Sequence, residues 1–311
     1  GIMAVDILQT HKLLKSCEEA LAARYTVHKL HEAPDRDALL ASVRDKVRGI
    51  AGGYVGPELM DRLPKLEIIA NFGVGYDSID TAAARARNIR VTNTPDVLDD
   101  AVAEITIGLM ISLARRLPQA DRYVRDGKWT SGSYPLQVEL NGKTLGILGL
   151  GRIGKEIASR AQAMRMRVVY HGRHRQPDEP FIYYDDLADM ARDVDWLVAI
   201  APGGKATEKL VSRQVLEALG PGGYFGSMGR GTTVDEAALV ELLASRRLGG
   251  AALDVFVDEP KVTEALFALD NVVLSPHQGS ATHQTRNKMG ALLVANLDAW
   301  FAGEPLISAV A

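Results

Sequence analysis

Cysteine is nearly absent: Cys17 is the only one in 311 residues. That excludes a disulfide within the chain and any metal centre built on several thiolates, and it fits a reducing cytoplasm. An excess of charge is missing as well. Lys and Arg number 36 against 39 Asp and Glu, a formal net charge of −3. Nothing therefore points to nucleic acid or an anionic membrane as partner. Every apolar run is broken by glycine or charge well before the roughly 18 residues that span a bilayer, and no charged-then-apolar leader is visible. Gly1 and Ile2 precede Met3, which reads as the natural start. Solenoid-type repeats and low-complexity segments are absent. Acid is also missing locally, since no Asp or Glu occurs between Glu156 and Asp178.

What is present is ordinary for a globular protein, with 47 % hydrophobic and 24 % charged residues. The length is too great for one core and suits two. Short apolar runs alternate with helical patterns throughout. "VDILQT", "VRGIAGG", "LEIIANFG" and "IRVTNTP" read as one series of strands. "LGILGLG", "RVVYHG", "DWLVAIAP", "GGYFGSMG", "GGAALDVF" and "NVVLSPH" read as a second. The alternation predicts an α/β protein of two Rossmann-like, doubly wound parallel-sheet domains with an interdomain cleft. Two long helical patterns, 99–117 ending before Pro118 and 282–301 with Gly303 just beyond, bracket an inserted domain. The expected limits are 98–282 for the insert and 1–97 plus 283–311 for the other, flavodoxin-like domain. The helix from Asp99 is small and apolar on more than one face, which predicts a homodimer through the inserted domains. Cys17, in "LLKSCEEALAARY", reads as a small buried thiol rather than a nucleophile.

"GILGLGRIGKEIASRAQAMRMRVVYHG" gives strand, glycine-rich turn, helix, strand. In that frame Gly149 makes the tight turn, Gly151 lets the backbone approach a pyrophosphate, and Gly154 lets helix pack on strand. The helix start at Arg152 and Ile153 supplies unpaired N–H groups for phosphates. An NAD-binding unit carries a carboxylate about 20 residues further on, for the ribose 2′-hydroxyl. Here the second strand ends in "HGRHR" instead. A carboxylate would repel a 2′-phosphate, whereas Arg173 beyond Gly172 pairs with one through two N–H donors. His174 and Arg175 add charge or an adenine-stacking surface. The chemistry favours NADPH, with NADH a weaker alternative; the bland reading is a solvated basic turn. The inserted domain is thus the NADP-binding one.

Three polar residues close later strands: Arg230 after "YFGSMG", Glu259 after "LDVFVD", His277 after "VVLSP". Each alone could be structural. Together they suit hydride transfer to a 2-keto acid. A guanidinium offers paired donors to adjacent carboxylate and carbonyl. A protonated histidine delivers a proton to the carbonyl oxygen as charge grows there, and a carboxylate behind it fixes its orientation and favours its protonated form.

"NFGVGYDSID", "TPDVLDDAVAE", "GLGRIGKEIA", "GRGTTVDEAALVELL", "AALDVFVDEP" and "SPHQGSATHQTRNKM" together resemble the D-isomer-specific 2-hydroxyacid dehydrogenase family, over nearly the whole chain from about Ala51. The basic turn makes the chain most similar to the NADPH-dependent glyoxylate/hydroxypyruvate reductases, including hydroxyphenylpyruvate-type members. The resemblance implies Arg230, Glu259 and His277 as catalytic residues. It implies a carboxylate-binding loop with N–H groups at Val74 and Gly75, and Asp254 on the nicotinamide carboxamide. Ala201, Pro202, Met228 and Gly229 would run along the cofactor, with Gly279 beside the nicotinamide. Thr207 matches a cofactor-loop threonine less securely, because the order here is "ATE". No metal is implied.

Three positions depart from the family pattern. Gly229 stands where alanine is usual. Asp99 replaces a threonine, either as a helix cap, which suits its place, or as an extra charge facing the cofactor. "APGGKATEKL" carries two extra glycines, expected to loosen the loop. Tyr54 of "GGYVG" is expected at the substrate's distal end or packed between domains. Trp129 is expected to pack in the interdomain region rather than line the substrate; Tyr134 receives no role. The expected function is NADPH-dependent reduction of glyoxylate or hydroxypyruvate to the D-2-hydroxy acid, in the cytoplasm. Alternatives are a reductase of a larger 2-keto acid (arylpyruvate or sugar-derived), or a dinucleotide-sensing protein resembling the corepressors of this fold.

Overall fold

The computed structural model describes residues 4–311, so Met3, read above as the natural start, lies outside them. These residues form two compact units. One runs to Leu98 and resumes over Ala281–Ala311; the other is Asp99–Ser280.

The first unit contains β1 (Asp6–Gln9), α1 (Lys15–Arg24), β2 (Thr26–Lys29), α2 (Arg36–Val43), β3 (Val47–Ala51), α3 (Pro57–Asp61), β4 (Ile68–Ala70), α4 (Thr81–Ala86) and β5 (Arg90–Thr92). Its strands pair in parallel in the order β2-β1-β3-β4-β5. Successive strand residues point to opposite faces, and both faces are covered. Leu8, Ile50, Ile69 and Val91 pack with Leu40, Val43, Leu59 and Met60 on one side. Ile7, Ala51, Ile68 and Ala70 pack with Leu21, Leu293 and Leu297 on the other. Beyond β5 the chain's last residues form an antiparallel border: Val310 N donates to Val91 O at 2.8 Å and Val91 N to Ala311 O at 2.9 Å.

The second unit contains α5 (Asp99–Arg115), α6 (Leu117–Arg125), β6 (Thr144–Leu148), α7 (Arg152–Ala163), β7 (Arg167–His171), β8 (Ile182–Tyr183), α8 (Leu187–Asp193), β9 (Trp196–Ala199), α9 (Arg213–Leu219), β10 (Tyr224–Ser227), α10 (Glu236–Ala244), β11 (Gly250–Leu253) and β12 (Val272–Leu274). Its sheet is parallel in the order β12-β11-β10-β9-β6-β7-β8. Leu197, Phe225 and Leu253 face Met190, Leu216 and Leu239 of α8, α9 and α10. Ile147, Tyr170, Trp196 and Val198 face Met110, Leu113, Ile157 and Ala161 of α5 and α7. The last helix, α11 (His283–Phe301), belongs to the first unit; Thr282 caps it by accepting from Thr285 N. Among the described residues no helix is long and apolar enough to cross a membrane.

Both units are doubly wound, as the alternation predicts. Three elements escape the sequence pattern. β2 and β8 are edge strands with a single neighbour each and no fully buried residue. The pattern 99–117 is two helices in part: α5 ends at Arg115, Arg116 turns through φ +48, and α6 begins with Pro118 in its first turn. Proline both stops one helix and starts the next. Asp99 is inside α5 rather than ahead of it, and its carboxylate accepts from Arg152 Nε at 2.9 Å. The expectation of a cap is corrected to an ion pair with the first residue of α7; Asp100 makes a second such link, to Arg160 at 3.0 Å.

Candidate active site

In an open α/β sheet ligands bind beyond the strand carboxyl ends, where strand order reverses. In the second unit that point falls between β6 and β9, whose registers align Leu148 with Ala199. The glycine turn follows β6. A Cβ at Gly154 would overlap Gly149 O, whereas Gly151 faces open space and begins α7 with no side-chain cap. A bare helix start behind an unobstructed backbone fits a pyrophosphate. The residues therefore fit a dinucleotide, which Gly149, Gly151 and the start of α7 would hold. Ile153, Ala201 and Met228 turn their side chains into the core, leaving only backbone for a ligand.

The basic turn follows β7. His171 is structural: Nδ1 meets Tyr184 O at 2.7 Å and its ring stacks on Tyr183. Tyr183 Oη donates to Gly172 O at 3.1 Å. Gln176 Nε2 donates to Leu150 O at 2.8 Å, tying the basic turn to the glycine turn. Sequence reasoning missed Gln176, because its partner is a backbone carbonyl 26 residues away. Arg173, His174 and Arg175 are exposed and make no hydrogen bond or ion pair among the described residues. No carboxylate competes for them.

Arg230, Glu259 and His277 follow β10, β11 and β12, which are adjacent in the sheet. His277 Nδ1 lies 2.6 Å from Glu259 Oε1. An ionised carboxylate only accepts, so Nδ1 carries the proton and Nε2 is left for a substrate; Nε2 makes no hydrogen bond among the described residues. The imidazole is half-exposed, and His277 sits at φ +48, sparsely populated for a residue with a side chain. Asp254 over-determines that loop. Its buried carboxylate accepts from Ser275 Oγ at 2.7 Å, Gln278 N at 2.9 Å and Gly279 N at 3.1 Å. Asp254, which the resemblance implies on the carboxamide, anchors the His277 loop here: it is 1 % exposed and accepts from three donors.

In the loop after β9, Thr207 is buried and its Oγ1 donates to Pro202 O at 2.7 Å, closing that loop. Of the two extra glycines, both exposed, Gly203 lies against the aliphatic stem of Arg230. Trp129 follows Gly127 on a short 3₁₀ turn and is 65 % exposed. Tyr134 packs its ring 5.3 Å from that of Tyr123.

In the first unit strand order reverses between β1 and β3. Tyr54, just past β3, is exposed and held at φ +62, its amide donating to Ser78 Oγ at 3.1 Å. Its ring meets His11, just past β1, edge-on at 5.6 Å. The loop after β4 turns at Gly73, φ +127, a conformation that favours glycine. Asn71 Nδ2 donates to Gly75 O at 2.8 Å, Asn93 Nδ2 to Val74 O at 3.1 Å, and Thr94 N to Gly73 O at 3.0 Å. With those carbonyls held, the amides of Val74 and Gly75 donate to no acceptor among the described residues. Successive free amides form an anion-binding concavity.

Among the described residues no group of three or more His, Cys, Asp and Glu could hold a metal ion. Fold and strand-end chemistry together define a nicotinamide-dinucleotide oxidoreductase. Residues 107–279 match the D-isomer specific 2-hydroxyacid dehydrogenase, NAD binding domain. The chain is 43 % identical over 310 residues to glyoxylate/hydroxypyruvate reductase A of Arabidopsis thaliana, covering 99 % of both. It is 41 % identical over 310 residues to hydroxyphenylpyruvate reductase of Plectranthus scutellarioides, again 99 % of both. Among solved structures it matches the NADPH-dependent glyoxylate/hydroxypyruvate reductase of Sinorhizobium meliloti, in complex with NADP and malonate. There the TM-score is 0.91 at 44 % identity, covering 99 % of this chain and 97 % of that one. The chain belongs to the D-isomer-specific 2-hydroxyacid dehydrogenase family and is an NAD(P)-dependent oxidoreductase.

Proposed function

We propose that the protein reduces a small 2-keto acid, glyoxylate or hydroxypyruvate, to the D-2-hydroxy acid with NADPH. The observation that carries this reading is the His277–Glu259 pair with Nε2 left open, at 2.6 Å and at strand ends next in the sheet to that of Arg230. Bound NADPH supplies the hydride. Arg230 holds the carboxylate and the carbonyl oxygen of the substrate with paired donors. As the carbonyl carbon is reduced, its oxygen takes the proton from His277 Nε2, and the C=O π bond becomes C–H and O–H. Glu259 holds the ring and stabilises the imidazolium before transfer. The Val74 and Gly75 amides of the first unit offer a further pair of donors suited to a carboxylate.

The preference for NADPH rests on Arg173 and its neighbours, exposed, unpaired and without a nearby carboxylate. The Sinorhizobium meliloti relative, described as NADPH-dependent, agrees with it. The 41 % identical hydroxyphenylpyruvate reductase keeps a larger, aryl substrate as the second reading. A panel of glyoxylate, hydroxypyruvate, an arylpyruvate and a sugar-derived keto acid, each with NADPH and NADH, tests both. Turnover of the two small acids with NADPH at the highest kcat/KM is the expected result. A larger acid ahead of them moves the substrate class, and tight NADPH binding without turnover on any of them overturns the enzyme reading. We also propose a homodimer formed through the second unit.

A further inference from the structure

The segment Ala201-Pro202-Gly203-Gly204, buried at Ala201 and exposed from Pro202 on, is flanked by glycines. On one side, a Cβ at Gly149 of the dinucleotide turn would sit 3.0 Å from Ala201 N and Cα. On another, a Cβ at Gly229 would sit 2.6 Å from Ala201 O. On the segment itself, a Cβ at Gly203 would sit 2.7 Å from Arg230 Cγ and 3.3 Å from Arg230 Cβ. Contacts below 3.0 Å essentially never occur for real Cβ atoms. The atoms that would have to give way are backbone, or the first carbons of the arginine stem, which do not swing aside as a flexible tip does. The segment is itself fixed: Thr207 Oγ1 donates to Pro202 O at 2.7 Å and Thr207 N to Gly204 O at 3.2 Å.

We propose that Gly203 is a positioning residue for Arg230: the fixed 201–204 segment, seated against the dinucleotide turn, supports the arginine stem and so sets where its guanidinium stands relative to the cofactor. This rests on the reading of Arg230 as the keto-acid ligand. A methyl group at position 203 pushes on Cγ, near the root of a long lever, and the guanidinium at its far end moves further than the stem. Misplacing a substrate-binding group by about 1 Å costs on the order of 10²-fold in rate. The dinucleotide turn meets the segment at Ala201 rather than at Gly203, so the added methyl does not press on it.

The test is a double-mutant cycle of Gly203→Ala and Arg230→Gln on the NADPH-loaded enzyme, with Gly222→Ala, which faces open space, as control. Gly203→Ser repeats the substitution should the alanine variant not accumulate. The expected result for Gly203→Ala is a kcat/KM for glyoxylate lower by about tenfold or more, a malonate inhibition constant raised in step, and NADPH affinity and thermal midpoint as in the parent. In the Arg230→Gln background the same change should cost less than about twofold, because the group it positions is gone. Parental kcat/KM in Gly203→Ala beside a damaged Arg230→Gln overturns the inference alone. So does an equal loss in both backgrounds, or a matching loss of NADPH affinity. Parental kcat/KM in Arg230→Gln overturns the assignment of Arg230, and the inference with it.

Discussion

His277 is held at φ +48 by hydrogen bonds that converge on Asp254, and its Nδ1 is held by Glu259. Conformations of this kind cost about 1–3 kcal/mol and persist where the surroundings over-determine them. The imidazole is therefore set in place before substrate arrives. Replacing it by alanine should lower kcat by about 10²–10⁴-fold, the usual contribution of a positioned acid, with NADPH affinity little changed; a near-normal kcat removes His277 as the proton donor. For Arg173→Asp, the ratio of kcat/KM with NADPH to that with NADH should fall by about tenfold or more, since a guanidinium free to pair with a 2′-phosphate becomes a carboxylate that repels one. An unaltered ratio returns the turn to plain solvent exposure. Arg230, Glu259, His277 and Arg173 stand out in the sequence because their residue types carry chemistry at strand ends, and the structure places the first three at neighbouring strands. The ties made by Gln176, Asp254 and Thr207 were not legible, because they depend on which groups the fold brings to them.

The seam between α1 and α11 shows how one element constrains another. Cys17 of α1 is 2 % exposed, and a Cβ at Gly290 of α11 would come within 3.0 Å of its Cβ. Burial pushes the thiol from an ordinary 9.0 up to about 11, with Glu18 adding to it. The unfolded chain then releases this proton at lower pH than the folded one. Stability from this source is complete below about pH 9 and is lost as pH rises toward 11, by roughly 2–3 kcal/mol at 1.36 kcal/mol per unit. Urea midpoints of the parent should fall more steeply over that window than those of Cys17→Ala; equal slopes would show the thiol to be unperturbed. At this scale strands with buried residues were readable, the edge strands β5 and β12 among them. β2 and β8 have no fully buried residue, so no apolar pattern marks them. α6 keeps an apolar stripe of Leu117, Ala120 and Val124 that is buried against nothing among the described residues, and its Pro118 reads as a stop although it stands in the helix's first turn.

For the whole molecule, the strand–helix alternation was enough to indicate two doubly wound units, because parallel strands need a crossover and a helix is the usual one. Strand order, and with it the place of each reversal, was not legible, since it depends on long-range pairing. The region 117–138 leaves Leu117, Val124, Trp129, Leu136 and Val138 exposed, Leu136 at 99 %. Five large apolar side chains exposed within one short segment support placing the proposed dimer contact here. Sedimentation should give twice the chain mass of 33.6 kDa, and Trp129→Glu with Leu136→Glu should shift it to one; a parent that sediments as a single chain overturns the homodimer.

The border beside β5 bears on how the first unit behaves in a crowded solution. A sheet edge is a row of unmet donors and acceptors that another chain can extend. Here Ser308 to Ala311 occupy that row from within the same chain, through Asn93 N, Val91 N and Val91 O. The first sheet is therefore finished on its β5 side, and recruitment of foreign strands is left to the short, polar β2 at the opposite edge.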